Sequence, residues 1–452
     1  DVASYTVYFN LNNPEHEIAK ITPDKIQIMK NGGNEDGIIL DGSRKMKPLK
    51  FLPDADLEEA DRLLVDLLVG NMTCPQGDRF LILSWLSCFL LIDFAGTRPM
   101  TRFEGSAGSG KTTASKITST LLYGEPQHKK ATDAANYTDG SQNPLIVLDN
   151  IEVKQMTEDL TTFMLTSITG IAKEKRKSGT DSETITERTK CLLNTTGIEP
   201  LCGELSEILS RSFVINFDLA NQASDCFLES EVISAIQQNR DLIISAIMKR
   251  TSHVLAMIRN GAQKQVMRLL HRTMPTHGKR RCNDYLSLMY LMMLAGSEEH
   301  EVTTGLDDLS PLFIEQIHSI NDTSQEMARE SNPIATALAS LFHAYRNAVE
   351  LDEKARYGED DRANHVVGFI ERYQVRFENE NTMEPVSAGR LLAALRRVGR
   401  EFNLEFEYKK PAQLGRRISN DLDVIRDAGF DIDRQRNAHT KNFEYRICHK
   451  SR

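Results

Sequence analysis

Two glycines, Gly105 and Gly110, lie five residues apart, and the second directly precedes Lys111 and Thr112. Glycines let the backbone turn so that successive N–H groups point inward at one anion. In this spacing the lysine reaches the β- and γ-phosphates of a nucleotide, and the threonine hydroxyl binds Mg²⁺. The pattern predicts a site for ATP and Mg²⁺, and a Gly/Ser-rich surface turn is the alternative. The predicted nucleotide-binding residues are Gly105, Ser106, Ala107, Gly108, Ser109, Gly110, Lys111, Thr112 and Thr113.

A continuous apolar run, Leu145–Leu148, ends in Asp149. Such a run is typical of a strand buried on both faces, and open α/β sheets bind ligands at the carboxyl ends of their strands. Because a carboxylate there holds Mg²⁺ through water in phosphate-loop enzymes, Thr112 and Asp149 are the predicted metal ligands. A turn aspartate that merely follows a strand is the alternative.

A hydrolase also needs a group that orients or deprotonates the attacking water. A second carboxylate commonly follows the magnesium aspartate directly, but here that position is Asn150. Glu152 serves instead if the turn brings it back, so Glu152 is the candidate and Asn150 its polar partner. A solvated residue at a helix start is an equally weighted alternative for Glu152.

Two further polar residues are candidates for contacts with the γ-phosphate. The run from Thr189 to Thr195 is typical of a buried strand, with Asn194 at its end. Beside a phosphate loop, such a residue acts as a polar sensor, whereas a turn former before Gly197 is the alternative. Arg211 lies at a predicted helix-to-strand junction, where a guanidinium can reach the nucleotide of a neighbouring subunit in a ring.

A charged segment between these motifs contains Lys173, Lys175 and Lys177 on one side of a Gly179–Asp181 turn. The segment predicts a hairpin. Because alternate residues of a strand share a face, the three lysines would form a cationic row suited to a phosphate backbone. A solvated charged loop is an equally weighted alternative.

The elements that must hold these residues are alternating short strands and helices. An extended stretch, residues 100–104, leads into the glycine loop, and a helix over 112–123 follows it. Arg102 and Glu104 make the lead-in stretch less apolar than a buried central strand usually is. With a polar, loop-rich segment over 125–143, the pattern indicates an α/β nucleotide domain.

The composition is that of a soluble globular protein: 452 residues, 40% apolar and 26% charged, with a net charge of −9. The longest apolar run, 80–94, is shorter than the roughly 20 residues of a membrane span and predicts a helix buried on all sides. Seven scattered cysteines without a CxxC pair favour a reducing, cytoplasmic location and argue against a zinc site. We expect no membrane partner. The chain begins with Asp1, so upstream domains are compatible with it.

The last segment differs in charge from the rest of the chain. From Pro385 to Arg452 there are 15 Lys and Arg against 9 Asp and Glu, a net of +6. Helices over 387–402 and 411–428 followed by an alternating hairpin predict a winged helix, and a protein-binding winged helix is the alternative to a DNA-binding one. Its candidate phosphate contacts are Lys409, Lys410, Arg416, Arg417, Arg434, Arg436 and Lys441.

Five segments follow from these changes of pattern. They are a β-rich N-terminal region (1–52), a helical lead-in (53–96), the nucleotide domain (97–219), a helical domain (220–382) and the winged helix (383–452).

The motifs GSAGSGKT, LIVLDN, NTTGIEP and LSRSFVINFD, in this order, resemble the AAA+-type ATPase domain of phage- and plasmid-type primase–helicases, which belong with the superfamily 3-like ring helicases. The resemblance covers about residues 81–217 and implies an α/β P-loop NTPase (AAA+-like) core. It implies Asp149 on Mg²⁺, Asn194 as sensor, and Arg211 acting in trans in a homo-hexamer. It also implies a DNA-gripping role for the lysine hairpin. The departure is Asn150, where that family has a second carboxylate.

The leading hypothesis is therefore an ATP-hydrolysing DNA helicase that works as a ring in replication of a phage, plasmid or mobile element, with single-stranded DNA in its channel. A primase partner or fused upstream module accompanies it in this hypothesis. The alternatives are an ATP-switched initiator or helicase loader that binds duplex DNA without translocating, and a defence or signalling ATPase whose terminal domain binds protein.

Overall fold

The structure, a computed structural model, divides into two compact units. The first comprises Asp1–Leu201 and Glu207–Asn321, and most of the second is Asp322–Arg452. The residues described are 1–127, 133–152, 155–176, 184–189, 191–198, 206–222, 228–273, 282–296, 309–319, 332–357, 364–401, 408–437 and 443–450.

The first unit begins with a three-stranded antiparallel sheet in the order β1-β2-β3. Ala19 and Ile21, two residues apart and therefore on the same face of the middle strand, belong to the hydrophobic core. The strands are β1 (Val7–Asn10), β2 (Glu17–Ile21) and β3 (Ile26–Lys30).

Two helices follow, α1 (Leu57–Leu67) and α2 (Gln76–Ser87). The side chain of Asp56 caps α1 by accepting from the backbone N–H groups of its first turn. The single helix predicted over 80–94 is wrong in its extent, because α2 ends at Ser87 and a 3₁₀ segment, Cys88–Phe94, continues it. Such tightening is common at helix ends.

A four-stranded parallel sheet in the order β5-β8-β4-β9 forms the centre of this unit. Its strands are almost entirely buried, and two of them, LIVL and SFVIN, are apolar over most of their length, as is typical of strands covered on both faces. The elements of this region are β4 (Met100–Glu104), α3 (Lys111–Tyr123), α4 (Asp133–Gln142), β5 (Leu145–Leu148), α5 (Glu158–Thr169), β6 (Ala172–Arg176), β7 (Thr184–Arg188), β8 (Leu192–Gly197), α6 (Ser206–Leu209) and β9 (Ser212–Asn216).

One helix of this region, α4, was expected to be polar loop. Its sequence has weak helix propensity, but Tyr137 packs edge-on against Phe163 of α5, with ring centroids 5.2 Å apart. Tertiary packing of this kind overrides a weak local preference.

The rest of the first unit is helical, with α7 (Glu229–Arg259), α8 (Ala262–Thr273), α9 (Asn283–Leu294) and α10 (311–319). The apolar face of α7, including Ile243 and Ile247, joins the same core as β2 and α3. Among the described residues of the whole chain, no helix combines the length and apolar character needed to cross a membrane.

The second unit consists of helices around a four-stranded antiparallel sheet in the order β10-β11-β13-β12. Phe342, Leu395 and Tyr445 belong to its separate core. Its elements are α11 (Pro333–Tyr357), α12 (His365–Tyr373), β10 (Phe377–Asn379), β11 (Thr382–Ser387), α13 (Ala388–Glu401), α14 (Pro411–Asn420), α15 (Leu422–Asp427), β12 (Phe430–Arg436) and β13 (Phe443–His449).

The predicted C-terminal hairpin is confirmed, since β12 and β13 pair in register from Phe430↔His449 to Arg436↔Phe443. The single helix predicted over 411–428 is two helices, α14 and α15. The buried Asp421 lies at the break, where its carboxylate accepts from Arg417 and Asn332. The predicted helical segment 220–382 is shared between the two units.

Candidate functional site

The glycine loop connects the carboxyl end of β4 to the amino end of α3, where helix N–H groups favour a bound anion. Gly105 and Gly110 have positive φ angles of 142° and 97°. A Cβ on Gly105 would collide with the carbonyl oxygen of Phe217, and one on Gly110 with the Thr73 hydroxyl. These two positions therefore require glycine, and the loop is packed from both sides into the phosphate-binding shape.

Lys111 is the central cation of the loop. Its ammonium donates to the carbonyl oxygens of Gly105 and Ser106 over 2.8 and 2.6 Å, and to Ser109 Oγ over 3.2 Å. Burial lowers the pKa of Lys111, and the Glu152 carboxylate opposes that shift more strongly than Asp149 does. The ammonium is held inside the loop, where a nucleotide phosphate can replace the carbonyl oxygens as its partner.

Thr112 and Asp149 come together as the two motifs predict. Thr112 Oγ1 donates to Asp149 Oδ1 over 3.2 Å across the gap between α3 and β5. Carboxylate and hydroxyl oxygens are the ligands that Mg²⁺ prefers, and it usually takes one or two of them together with substrate phosphates. No cluster of three or more His, Cys, Asp or Glu occurs among the described residues. The donors therefore fit a nucleotide-bound Mg²⁺ rather than an all-protein cage.

Glu152 turns back toward the sheet after Asp149. Its Oε1 accepts from the backbone N–H of Ile198, just beyond the end of β8, over 2.8 Å. Of the charged groups that influence the pKa of Lys111, Glu152 has the largest effect. Asn150 has a φ of 55° and an exposed side chain. The turn after β5 thus holds the Glu152 carboxylate at the end of β8, whereas the Asn150 side chain is exposed.

Asn194 does not end its strand, contrary to the sequence prediction. Strand β8 continues to Gly197, and Asn194 pairs with Val147 in its middle. Its fully buried amide accepts from Ser115 Oγ over 2.7 Å and donates to Thr101 Oγ1 over 2.8 Å. These bonds fasten α3 and β4 to β8.

Sequence reasoning missed Thr196, which lies two residues further along β8. Its hydroxyl donates to Asp149 Oδ1 over 2.7 Å and accepts from the Asn150 N–H over 2.8 Å. No sequence signal identified it, because the contact follows from strand register: Leu148 lies opposite Thr195 in the parallel pair of β5 and β8, so Thr196 lies beside Asp149. Thr196, and not Asn194, therefore contacts Asp149 at the carboxyl end of β8.

Thr113, one of the predicted nucleotide-binding residues, donates to Glu229 Oε2 over 2.6 Å. Glu229 is the first residue of α7, and it also accepts from Lys116 over 2.6 Å. The helix after the glycine loop is thereby joined to the long helix of the same unit.

Arg211 lies at the end of the sheet where its parallel strands begin, opposite to the end that leads into the glycine loop. It immediately precedes β9, and its carbonyl accepts from the N–H of Met100 at the start of β4 over 3.2 Å. The glycine loop follows the other end of β4, about 13 Å away along the strand. Arg211 and the glycine loop of one chain are thus at opposite ends of the central sheet. The role of Arg211 in trans stays a prediction.

The predicted lysine hairpin has paired strands, β6 and β7. Lys173 lies opposite Glu187 and Lys175 opposite Ile185. Lys177 lies outside the described residues.

Most of the predicted basic residues of the second unit are exposed, including Lys409, Lys410 and Arg416 at the start and on the surface of α14. Arg417 differs, because its Nε donates to the buried Asp421 over 2.6 Å. Its guanidinium is therefore committed to the fold of this unit.

The remaining candidates are Arg434 and Arg436 on β12, and Lys441. On β12, Arg434 stacks over Phe443 with its guanidinium carbon 3.7 Å from the ring centroid, and Arg436 is exposed. Lys441 lies outside the described residues.

The chain is similar in fold to an active helicase, Cch of SCCmec type IV, with a TM-score of 0.51 and 13% identity over 98% of this chain and 78% of that one. The apo C-terminal region of NrS-1 matches with a TM-score of 0.39 and 13% identity, covering 98% of this chain and 96% of that one. No protein-family model matches the sequence, and no curated protein is significantly similar to it. The likeness to Cch establishes a helicase-type fold.

Proposed function

We propose that the protein is an ATP-driven DNA helicase or translocase that acts as a homo-hexameric ring in replication of a phage, plasmid or mobile element. The observation that carries the proposal is the convergence of Lys111, Thr112, Asp149 and Glu152 at one end of a parallel sheet. The likeness of the fold to that of the Cch helicase supports the same class of activity.

In this proposal the glycine loop holds the phosphates of ATP, and Thr112 and Asp149 hold Mg²⁺. The metal neutralises charge on the β- and γ-phosphates when it is bound. Glu152 orients and deprotonates a water that attacks the γ-phosphorus, so that the bond to ADP breaks and phosphate leaves. Thr196 fixes the Asp149 carboxylate and takes the place proposed from sequence for Asn194.

Arg211 completes the site of a neighbouring subunit in the proposed ring, where a guanidinium stabilises charge on the transferred phosphoryl group. A trans role is the one compatible with its distance from the glycine loop of its own chain. This part of the proposal requires an oligomer, and the size and symmetry of particles with and without ATP measure it directly.

DNA contacts are proposed at two places. Lys173 and Lys175 of β6, together with Lys177, would grip single-stranded DNA. In the second unit, β10 and β11 are followed by the three helices α13, α14 and α15 and then by the β12–β13 hairpin. A helical segment followed by a hairpin supports the proposal of a winged helix, whose exposed Lys409, Arg416 and Arg434 would hold phosphates.

The test is DNA-stimulated ATP hydrolysis together with strand separation by the purified chain. Lys111→Ala should abolish both, because no other cation replaces Lys111 in the loop. Lys20→Ala, which alters a lysine paired with Asp36 on the N-terminal sheet, is the matched control and should leave both intact. Full activity of Lys111→Ala would refute the proposal.

The alternative is an initiator or loader that binds duplex DNA without translocating. Variants of the lysine hairpin distinguish it from the proposed translocase. Neutralising Lys173, Lys175 and Lys177 together should abolish strand separation in a translocase and leave basal ATP hydrolysis intact. If the wild-type protein hydrolyses ATP and binds duplex DNA but separates no strands, the alternative replaces the proposal.

A further inference from the structure

Arg102 is a fully buried cation in the central strand β4, three residues before the glycine loop. Central strands of parallel sheets are normally apolar, because a buried guanidinium loses its hydration. Its Nε donates to Glu104 Oε1 over 3.1 Å, so the charge is paired within the strand. A buried ion pair rarely stabilises a fold more than apolar residues would. The presence of Arg102 in β4 must therefore be explained by its other contacts.

The guanidinium of Arg102 spans the two strand ends that carry the proposed catalytic groups. Its Nη1 donates to the carbonyl oxygen of Ile151 over 2.8 Å and to that of Thr196 over 2.9 Å. Ile151 directly precedes Glu152, and Thr196 is the residue whose hydroxyl holds Asp149. One rigid guanidinium therefore holds the backbone both after β5, at Ile151, and at the end of β8, at Thr196.

The two chain segments that contain these carbonyl groups are also hydrogen-bonded to each other. The Ile151 N–H donates to the Thr196 carbonyl oxygen over 2.8 Å, and the Ile198 N–H donates to Glu152 over 2.8 Å. With the bond from the Asn150 N–H to the Thr196 hydroxyl, three hydrogen bonds connect the loop after β5 to the end of β8, and the Arg102 guanidinium contacts the same two segments. A displacement of Arg102 would be transmitted to the Glu152 carboxylate through Ile151.

Gly197 makes room for this arrangement. A Cβ at Gly197 would overlap the Arg102 guanidinium, because Gly197 lies beside it on the neighbouring strand β8. Glycine weakens a strand interior, so its use here is explained by the close approach of the guanidinium. The Arg102 guanidinium therefore packs against Gly197, next to the loop that follows β5.

We propose that Arg102 is a positioning residue for the water-activating step: it holds the Ile151–Glu152 segment and Thr196 in the geometry that hydrolysis needs, with Gly197 providing the space. The inference rests on the proposed function, since it concerns the same site. Arg102 acts through the backbone carbonyl groups and Glu152, and it makes no contact with ATP in this proposal.

The experiment measures kcat for ATP hydrolysis and the Kd for a fluorescent ATP analogue in Arg102→Lys and Gly197→Ala. A lysine keeps the charge but has no planar fork to hold two carbonyl groups and Glu104 together. We expect kcat to fall roughly ten- to hundred-fold, as small displacements of catalytic groups do, while Kd changes less than about three-fold.

The matched control is Arg98→Lys. Arg98 is also buried, and it donates to the carbonyl oxygens of Ile92 and Thr189 at the opposite end of the sheet. A purely structural role would make the two arginine variants alike, each losing stability with kcat per folded molecule unchanged. The inference requires that only the Arg102→Lys variant loses kcat.

The outcomes separate as follows. A wild-type protein without ATP hydrolysis overturns the proposed function, and this inference falls with it. Wild-type hydrolysis with unchanged kcat in folded Arg102→Lys, or with kcat and Kd impaired together, overturns the inference alone. If Arg102→Lys does not fold by circular dichroism, Gly197→Ala decides the question by the same split between kcat and Kd.

Discussion

The hydroxyl of Thr196 donates to Oδ1 of Asp149 over 2.7 Å, and the same Oδ1 accepts from Thr112 over 3.2 Å. One carboxylate oxygen thus joins the end of β8 to the first turn of α3. The Asn150 N–H completes the arrangement by donating back to the Thr196 hydroxyl. The orientation of the proposed magnesium ligand is therefore set by a residue of the neighbouring strand.

Thr196→Val should impair hydrolysis and stability together. Valine keeps the shape but leaves Asp149 and the Asn150 N–H without this partner, at a cost of about 1–3 kcal/mol in the free energy of unfolding. We expect kcat to fall at least about tenfold. The control is Thr195→Val, because the buried Thr195 hydroxyl has no partner within the described part of the chain. Equal loss of kcat in both variants would contradict the role of Thr196.

Glu152→Gln should reduce kcat by on the order of a hundred-fold or more, because glutamine cannot accept a proton from water. ATP binding should be retained, since Glu152 does not hold phosphate. The comparison is Asn150→Gly, which suits the positive φ at that position and should lower kcat less than about tenfold. Steady-state hydrolysis and ATP-analogue binding measure both, and the reverse ranking would assign water activation to Asn150.

Asn194→Leu should act on stability and not on the chemical step. The substitution leaves the buried hydroxyls of Ser115 and Thr101 without their amide partner, at a cost of about 1–3 kcal/mol in the free energy of unfolding. Urea unfolding measures this loss, and kcat per folded molecule should stay within about three-fold of wild type. A selective loss of kcat at unchanged stability would restore the sensor role.

Arg416→Ala and Arg417→Ala should differ although the residues are adjacent. Arg416 is exposed on α14, so its loss should weaken DNA binding and reduce the slope of log K against log salt by about one. Arg417 is bonded to the buried Asp421, so its loss should destabilise the second unit by about 3 kcal/mol or more. Fluorescence anisotropy over a salt series and thermal unfolding measure the two effects. A loss of DNA affinity in Arg417→Ala alone would contradict this division.

Asp78→Asn should stabilise the protein in a pH-dependent way. Burial raises the pKa of Asp78 on α2 to about 6, and the described residues include no hydrogen-bond or ion-pair partner for it. The folded state therefore binds a proton that the unfolded state has released between about pH 4 and 6, and wild-type stability falls as pH rises through that window.

The expected gain for Asp78→Asn is at most about 3 kcal/mol above pH 7 and vanishes near pH 4. Urea unfolding at several pH values measures it. Asp66→Asn, at an exposed position on α1, is the control and should change stability by less than about 0.5 kcal/mol. A gain that does not vary with pH would show that Asp78 is not desolvated.

The local elements of the nucleotide domain were largely predictable. The strands ending at Leu148 and Asn216 contain continuous apolar runs, which have one stable environment, the interior of a parallel sheet. The helix α4 was not predictable, because its polar sequence is helical through packing of Tyr137 on Phe163. Local preference decides an element only where tertiary contacts do not outweigh it.

By itself, the sequence determined the glycine loop, the buried strand that ends before Asp149 and the presence of a buried strand around Asn194. These follow from residue types at short, fixed spacings, where chain geometry leaves few alternatives. Tertiary structure decided which residues face the site. Parallel register brought Thr196 opposite Asp149, and the turn after β5 brought Glu152 back toward Lys111. The packing of Arg102 on Gly197 joined the ends of β5 and β8. Such relationships depend on contacts between residues about 50 to 100 positions apart, and no local pattern specifies them.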